Sequence, residues 1–307
     1  MNRLTKMDFP SKIILFGEYG IILGSKALSI PYYRYSGYLT FPEEGDNQNR
    51  ALEIASGNSL RVLNDYLQVH SDEFQFLNLI ELEKDILKGI YFKSSIPSGS
   101  GLGSSGALTA AIYDKYSDGT DKSDIQLNKD NLAKIESCFH GMSSGIDPLT
   151  SWLKRPILFD NRYPAAPDTD LSQFRRTYCI FIINSKLPGN TGNLVSFFLE
   201  RYKESNFKRM IDNEYIPLIN KTIDALLSND LPEFEFYLEK YSKFQLSTFS
   251  YLIPDHMINH FIYGINTGDF YLKICGSGGG GYILGIASDK GKAESYFNLN
   301  QLEYSVV

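Results

Sequence analysis

An α+β fold is predicted for this chain by three features. Short apolar runs suited to strands stand beside longer stretches suited to helices. The two kinds mix without a strict strand–helix–strand repeat, which disfavours a doubly wound sheet. Glycine clusters divide them at two places, residues 97–106 and 276–281. At 307 residues the chain is long for one simple core, so one large domain or two tightly joined ones are expected.

The elements follow in order. Residues 12–16 (Lys-Ile-Ile-Leu-Phe) and 20–23 (Gly-Ile-Ile-Leu) read as short strands around a turn at Gly17-Glu18-Tyr19. A polar, acidic loop is expected from Pro42 to Asn49. Residues 51–66 read as a helix, with Leu52, Ala55, Leu60, Leu63 and Leu67 roughly on one face. Residues 88–96 alternate like a strand and lead directly into the glycine loop. Ser104 to Tyr116 is alanine-rich and helix-favouring, with serines suited to capping its start. Residues 156–180 are loop-rich, and a domain boundary is placed there, giving lobes 1–168 and 169–307. Tyr178–Ile183 is an apolar strand, and 193–246 reads as successive helices broken near Asn213, Asn229-Asp230 and Pro232. Phe270–Cys275 and Tyr282–Ala287 are strands flanking Gly276–Gly281.

Composition narrows the function. A hydrophobic fraction of 43% with 21% charged residues is globular and not disordered. No apolar run reaches the roughly 18 residues that span a bilayer, and the first residues lack a secretory signal, so no membrane association and a cytoplasmic location are expected. The three cysteines, Cys138, Cys179 and Cys275, have no metal-ligand spacing and fit buried thiols. A net charge of −6 argues against a nucleic-acid partner, while leaving a locally built phosphate site open.

Three segments carry chemistry. In Pro97-Ser-Gly-Ser-Gly-Leu-Gly-Ser-Ser-Gly106, Gly99, Gly101 and Gly103 let backbone approach an anion, and the helix that follows offers its N-terminal N–H groups. Ser104 and Ser105 add hydroxyls. No Lys follows in the Walker A arrangement, and the blander reading is a flexible turn with a helix cap. Glu136-Ser-Cys-Phe-His-Gly-Met-Ser-Ser-Gly-Ile-Asp147 holds two carboxylates in different settings, suited to a metal ligand and to a group facing a nucleophile's proton. Equally, Glu136 reads as a solvated helix residue, Asp147 as a helix cap before Pro148, and His140 as a structural histidine. Gly276-Ser-Gly-Gly-Gly-Gly281 has more glycine than a hairpin requires, which points to close backbone approach. Lys12, inside an apolar strand, either reaches the surface by its stem or serves as an active-site cation.

Taken in order, Pro10–Tyr19, Pro97–Ala107 and Lys273–Gly281 resemble the three motifs of the galactokinase, homoserine kinase, mevalonate kinase and phosphomevalonate kinase superfamily, the GHMP kinases. Glu136, His140-Gly141 and Ser144-Gly-Ile-Asp147 resemble its mevalonate kinase branch. The resemblance implies two lobes, one like ribosomal protein S5 domain 2 and one ferredoxin-like, with the site between them. It implies an ATP-dependent kinase using Mg²⁺, with mevalonate as the small-molecule acceptor at its 5-hydroxyl and a homodimer as one expected assembly. Asp147 becomes the catalytic carboxylate, Lys12 its cationic partner, and Glu136 and Ser105 the Mg²⁺ ligands. Pro97, Gly99, Gly101, Leu102, Gly103, Ser104, Ser105 and Gly106 take the nucleotide. Glu18, Tyr19, His140, Ser144, Asp147, Thr191, Gly278 and Gly279 fall on the acceptor side.

The chain departs from the branch at Tyr19, where His is usual, at Gly189, where Arg is common, and at Gly106, where Ala is usual. Three other readings stand against mevalonate phosphorylation. One is a sister kinase for phosphomevalonate or another small alcohol, with Lys186 and Arg34 as candidate phosphate partners; a second is mevalonate diphosphate decarboxylase, disfavoured because Ser144-Gly-Ile-Asp147 resembles the kinases instead; the third is a non-catalytic binding protein on the same fold. Retention of Lys12, Asp147, Glu136 and Ser105 together favours an enzyme.

Overall fold

A computed structural model describes residues 8–42, 50–97, 99–119, 121–141, 143–161, 163–167, 171–189 and 191–307, without the side chains of 50, 52, 140 and 191–193. The loop expected at Pro42–Asn49 lies, beyond Pro42, outside the described residues.

The first half of the chain runs β1 (Phe9–Phe16), β2 (Ala27–Thr40), α1 (Arg50–Val69), α2 (Leu79–Leu87), β3 (Tyr91–Ser94), α3 (Ser104–Tyr116), α4 (Ile125–His140), α5 (Ile146–Leu153), β4 (Ile157–Asp160) and β5 (Tyr163–Ala165). The second runs α6 (Ser172–Thr177), β6 (Cys179–Asn184), α7 (Thr191–Tyr202), α8 (Ser205–Met210), α9 (Ile216–Leu227), α10 (Leu231–Thr248), α11 (Asp255–Thr267), β7 (Tyr271–Ile274), β8 (Tyr282–Ala287), α12 (Lys290–Leu299) and β9 (Tyr304–Val306). One sheet has the order β1-β2-β4-β5 with β3 also on β2; the other has the order β7-β8-β6-β9. Every pairing in the second sheet is antiparallel, with Phe181 opposite Gly285 on one side and Val306 on the other. The α+β expectation holds. No helix among the described residues is long and apolar enough to cross a membrane.

The chain divides into two compact units. The first takes in residues up to Lys12, 30–97 and 103–157; the second takes in 13–29, 98–102 and 158–307. In the first unit α3, α4 and α5 pack against one another. Ala107, Ala110 and Ala111 keep α3 slim enough for that approach, and Leu132, Ile135 and Leu149 fill the space opposite. Leu60, Leu63 and Leu67 put α1 on α2 and β3. Burying each of these leucines contributes about 1.5–3 kcal/mol. Trp152 lies edge-on to Tyr113 with ring centroids 5.3 Å apart, and its indole N–H donates to Asp114 at 2.9 Å.

In the second unit Ile180–Ile183 of β6 is buried throughout, as a central strand covered on both faces requires. Phe198, Phe207, Tyr215 and Phe249 form an aromatic cluster with centroid spacings from 4.9 to 6.4 Å.

Four local expectations are corrected. Gly20–Leu23 is a single 3₁₀ turn closed by Gly24 at φ 92, not a strand; four apolar residues do not distinguish the two. Ala55 is exposed, while Leu60, Leu63 and Leu67 are buried; the side chain of Leu52 lies outside those described. No serine side chain caps α3: its N-cap is Gly103 in the left-handed region. The helix does not break at Asn213. Residues 205–227 run on through a π turn at Ile211–Tyr215, which absorbs the irregularity without ending the helix. The expected break at Asn229-Asp230 does occur, with Asn229 at φ 57 and Asp230 capping α10 by accepting from the Glu233 N–H at 3.1 Å.

Candidate active site

Within the first unit, β1, α3, α4 and α5 bring four of the sequence-predicted residues together. Lys12 leaves the strand with its side chain 5% exposed, and its Nζ lies 2.9 Å from Asp147 Oδ2. Its methylene stem runs along Gly103, where a Cβ would come within 2.8 Å of Lys12 Cγ. Gly103 therefore serves two ends: at φ 77 it turns the chain into α3, and without a side chain it leaves room for the lysine. Asp147 is the second residue of α5, whose N-cap is Gly145, so it is a first-turn carboxylate and not the cap. Its side chain keeps 28% exposure, enough to meet a ligand.

Glu136 projects from α4 and is 5% exposed. Ser105 Oγ donates to its Oε1 at 3.3 Å, and Ser143 Oγ donates to its Oε2. Burial first, and the charge of Asp147 second, push the Glu136 carboxyl up to about 7, against the hydrogen bonds from Ser143 and Ser105 and the charge of Lys12. Two carboxylates thus share one buried ammonium, an arrangement short of positive charge. The donor set of carboxylate and hydroxyl oxygens suits a hard divalent cation, and one or two carboxylates are all that Mg²⁺ takes from a protein when phosphates complete its shell. Among the described residues no cluster of three or more His, Cys, Asp or Glu forms a self-sufficient metal cage.

Ser143 was not singled out from sequence, where Ser144 was named instead. Ser143 also accepts the Gly145 N–H at 3.0 Å, and its own N–H donates to Ser137 Oγ at 3.1 Å, so it ties the turn before α5 to α4. Ser144 is exposed and accepts, at 3.4 Å, from the Ile146 N–H. The signal was the Ser-Ser pair itself; which hydroxyl turns inward depends on the turn. His140 ends α4 and Thr191 begins α7, and both of their side chains lie outside the described residues.

In the phosphate loop Pro97, Ser104 and Ser105 are half-buried, Leu102 is fully buried, and Gly99 and Gly101 take φ 67 and 78. Gly106 sits where α3 meets α5. A Cβ there would lie 2.8 Å from Asp147 Cβ and 3.0 Å from Pro148 N.

The remaining candidates lie in the second unit. Glu18 is an ion-pair partner of Lys273, and both side chains are 1% exposed. Tyr19, at φ 62 and ψ −46, is a bulky residue in the left-handed region, which costs about 1–3 kcal/mol. Its ring is 4% exposed and packs on Phe198 and Phe249, at centroid distances of 4.7 and 6.0 Å. Gly278 and Gly279 take φ 70 and 73 in the second glycine loop. Lys186 is exposed there, as is Arg34 in the first unit. Lys273 was read only as part of a motif; a lysine inside an apolar strand was the signal, the same one that singled out Lys12.

Residues 60–154 match the family model for the GHMP kinases N terminal domain. Over 317 aligned residues the chain is 26% identical to the mevalonate kinase of Pyrococcus abyssi, covering 94% of this chain and 90% of that one. The family match covers residues 60–154, and the likeness to mevalonate kinases runs along nearly the whole chain. Solved structures share the fold. The Methanococcus jannaschii mevalonate kinase superposes with a TM-score of 0.66 at 18% identity, over 99% of this chain and 98% of that one. A Streptococcus pneumoniae phosphomevalonate kinase, solved with phosphomevalonate and AMPPNP, gives 0.63 at 14% identity, over 99% of this chain and 100% of that one. These similarities support an ATP-dependent kinase acting on an alcohol.

Proposed function

We propose that this chain is a GHMP kinase that transfers the γ-phosphate of ATP to the 5-hydroxyl of mevalonate. The observation that carries the chemistry is the Lys12–Asp147 ion pair at 2.9 Å, buried at the lysine and open at the carboxylate. The acceptor rests on the Pyrococcus abyssi relative, which aligns along nearly the whole chain and carries the mevalonate kinase name.

Asp147 receives the hydroxyl of the acceptor and takes or orients its proton. Lys12 pairs with Asp147 at 2.9 Å and offers positive charge to the transferring group. Ser104 and the backbone of residues 99–106 hold the triphosphate, in the manner of a glycine-preceded helix N-terminus. Glu136 and Ser105 would hold Mg²⁺, which when bound neutralises charge on the transferring phosphates. Ser143 keeps the Glu136 carboxylate turned toward Ser105. Most of the rate acceleration then comes from positioning and charge, since phosphoryl transfer asks little covalent chemistry of the protein. The reading keeps the two lobes at 1–168 and 169–307.

The test is an ADP-release screen of purified protein with ATP against mevalonate, phosphomevalonate, galactose and homoserine. Release that depends on mevalonate, with a product phosphorylated at the 5-hydroxyl, is expected. Turnover with phosphomevalonate and none with mevalonate would replace the proposed acceptor by the sister one.

A further inference from the structure

The geometry points to Glu18 and Tyr19 as positioning residues for the nucleotide side, anchoring the loop Gly276–Gly281 and through it residues 99–101 of the phosphate loop. This rests on the reading of the chain as an ATP-dependent kinase, and it moves both residues away from the acceptor pocket to which resemblance assigned them.

Every contact involved lies within the second unit. Lys273 Nζ donates to Glu18 Oε1 and also, at 2.7 Å, to the Ile274 carbonyl. Tyr241 donates its hydroxyl to Glu18 Oε2 at 3.3 Å, and Tyr215 donates to the Glu18 carbonyl at 3.1 Å. Gln245 accepts the Ile274 N–H at 2.8 Å through Oε1. Both backbone groups of Ile274, two residues before the loop, are thereby held. The next hold is inside the loop itself, where the Tyr19 hydroxyl donates to the Ser277 carbonyl at 2.5 Å.

From there the loop reaches the phosphate segment backbone to backbone. A Cβ on Gly281 would meet the Ser100 carbonyl at 2.8 Å, and one on Gly189 would meet the Gly99 carbonyl at 2.6 Å. The Gly189 N–H donates to that same Gly99 carbonyl at 3.2 Å, and the Gly281 N–H donates to the Leu187 carbonyl at 2.7 Å. Surfaces this close transmit a shift because they have no side chains to absorb it. The acceptor role has no such support. The Glu18 carboxylate is 1% exposed with both oxygens engaged, and the Tyr19 hydroxyl is committed to a carbonyl.

Tyr19→Phe removes one hydroxyl and keeps the ring packing, while Glu18→Gln keeps the shape and removes the charge. Binding of a non-hydrolysable ATP analogue is measured by titration calorimetry without any acceptor, together with the thermal midpoint and the KM for mevalonate. Tyr19→Phe is expected to weaken analogue binding about fivefold, as loss of one neutral hydrogen bond does, and Glu18→Gln tenfold or more. The KM for mevalonate should stay within about twofold. A merely structural role would lower the midpoint and leave affinity per folded molecule untouched. Unchanged analogue affinity in Tyr19→Phe overturns the proposal, as does a raised KM for mevalonate at constant nucleotide affinity. Failure of the kinase reading shows separately, as a parent chain that does not bind the analogue.

Discussion

Gly106→Ala is the substitution whose outcome the structure predicts most sharply, because Ala is the usual residue there in the family that this chain resembles. In this chain the added methyl would stand 2.8 Å from Asp147 Cβ and 2.9 Å from Asp147 carbonyl carbon. Carbon atoms in good contact stay about 3.5 Å apart or more, so α3 and α5 must part by about 0.7 Å. The obstacle is backbone and Cβ, which no rotamer change can remove. Two terms act on stability. Overpacking of this kind costs about 1–3 kcal/mol. Replacing a helical glycine by alanine returns about 0.5–1 kcal/mol. The net loss is therefore modest, about 0–2.5 kcal/mol by those two ranges. Catalysis is the more sensitive readout, since a misplacement of about 1 Å in a reacting group costs about a hundredfold. We expect kcat to fall about 10- to 100-fold in a coupled ADP-release assay, with the thermal midpoint little changed. A kcat within twofold of the parent would refute the reasoning, because it would mean that the position of Asp147 does not limit the reaction.

Asp147→Asn should nearly abolish turnover while binding of an ATP analogue persists; substantial steady-state activity would remove Asp147 from its role. Glu136→Ala should shift the Mg²⁺ titration of activity to higher concentration, and an unchanged titration would count against that ligand. Lys273→Met leaves the Glu18 carboxylate buried and unpaired, which should destabilise the chain by about 3–5 kcal/mol in urea unfolding. Adding Glu18→Gln should recover part of that loss, and no recovery would argue that the two do not act as a pair.

Legibility in the sequence followed the range of the interactions. Lys12 in its strand, the glycine loop and the alanine-rich α3 were readable because period, glycine spacing and helix propensity act over a few residues. Glu136 and Asp147 were readable as a pair of carboxylates, but no local spacing sets Lys12 beside Asp147; only the resemblance of the ordered motifs paired those two. The Glu18–Lys273 pair joins residues 255 positions apart, and no local pattern encodes it. Ser143 was passed over for Ser144 because a turn, not a periodicity, decides which serine faces Glu136. Gly20–Leu23 was misread for the opposite reason: a strand and a 3₁₀ turn offer the same four apolar letters.

The π turn at Ile211–Tyr215 makes residue count matter more than residue type along one stretch of chain. Each residue advances a helix by about 100°. Deleting a single position there would let the hydrogen bonding become regular and swing the segment before the turn against the segment after it. Tyr215, which now reaches the Glu18 carbonyl and stacks on Phe244 at 4.9 Å, would be carried round to another side of the helix. Substitutions at the exposed positions of the turn, Asn213 and Glu214, leave that phase intact. A one-residue indel would not, and the turn at Glu18 would feel it from nearly two hundred residues away.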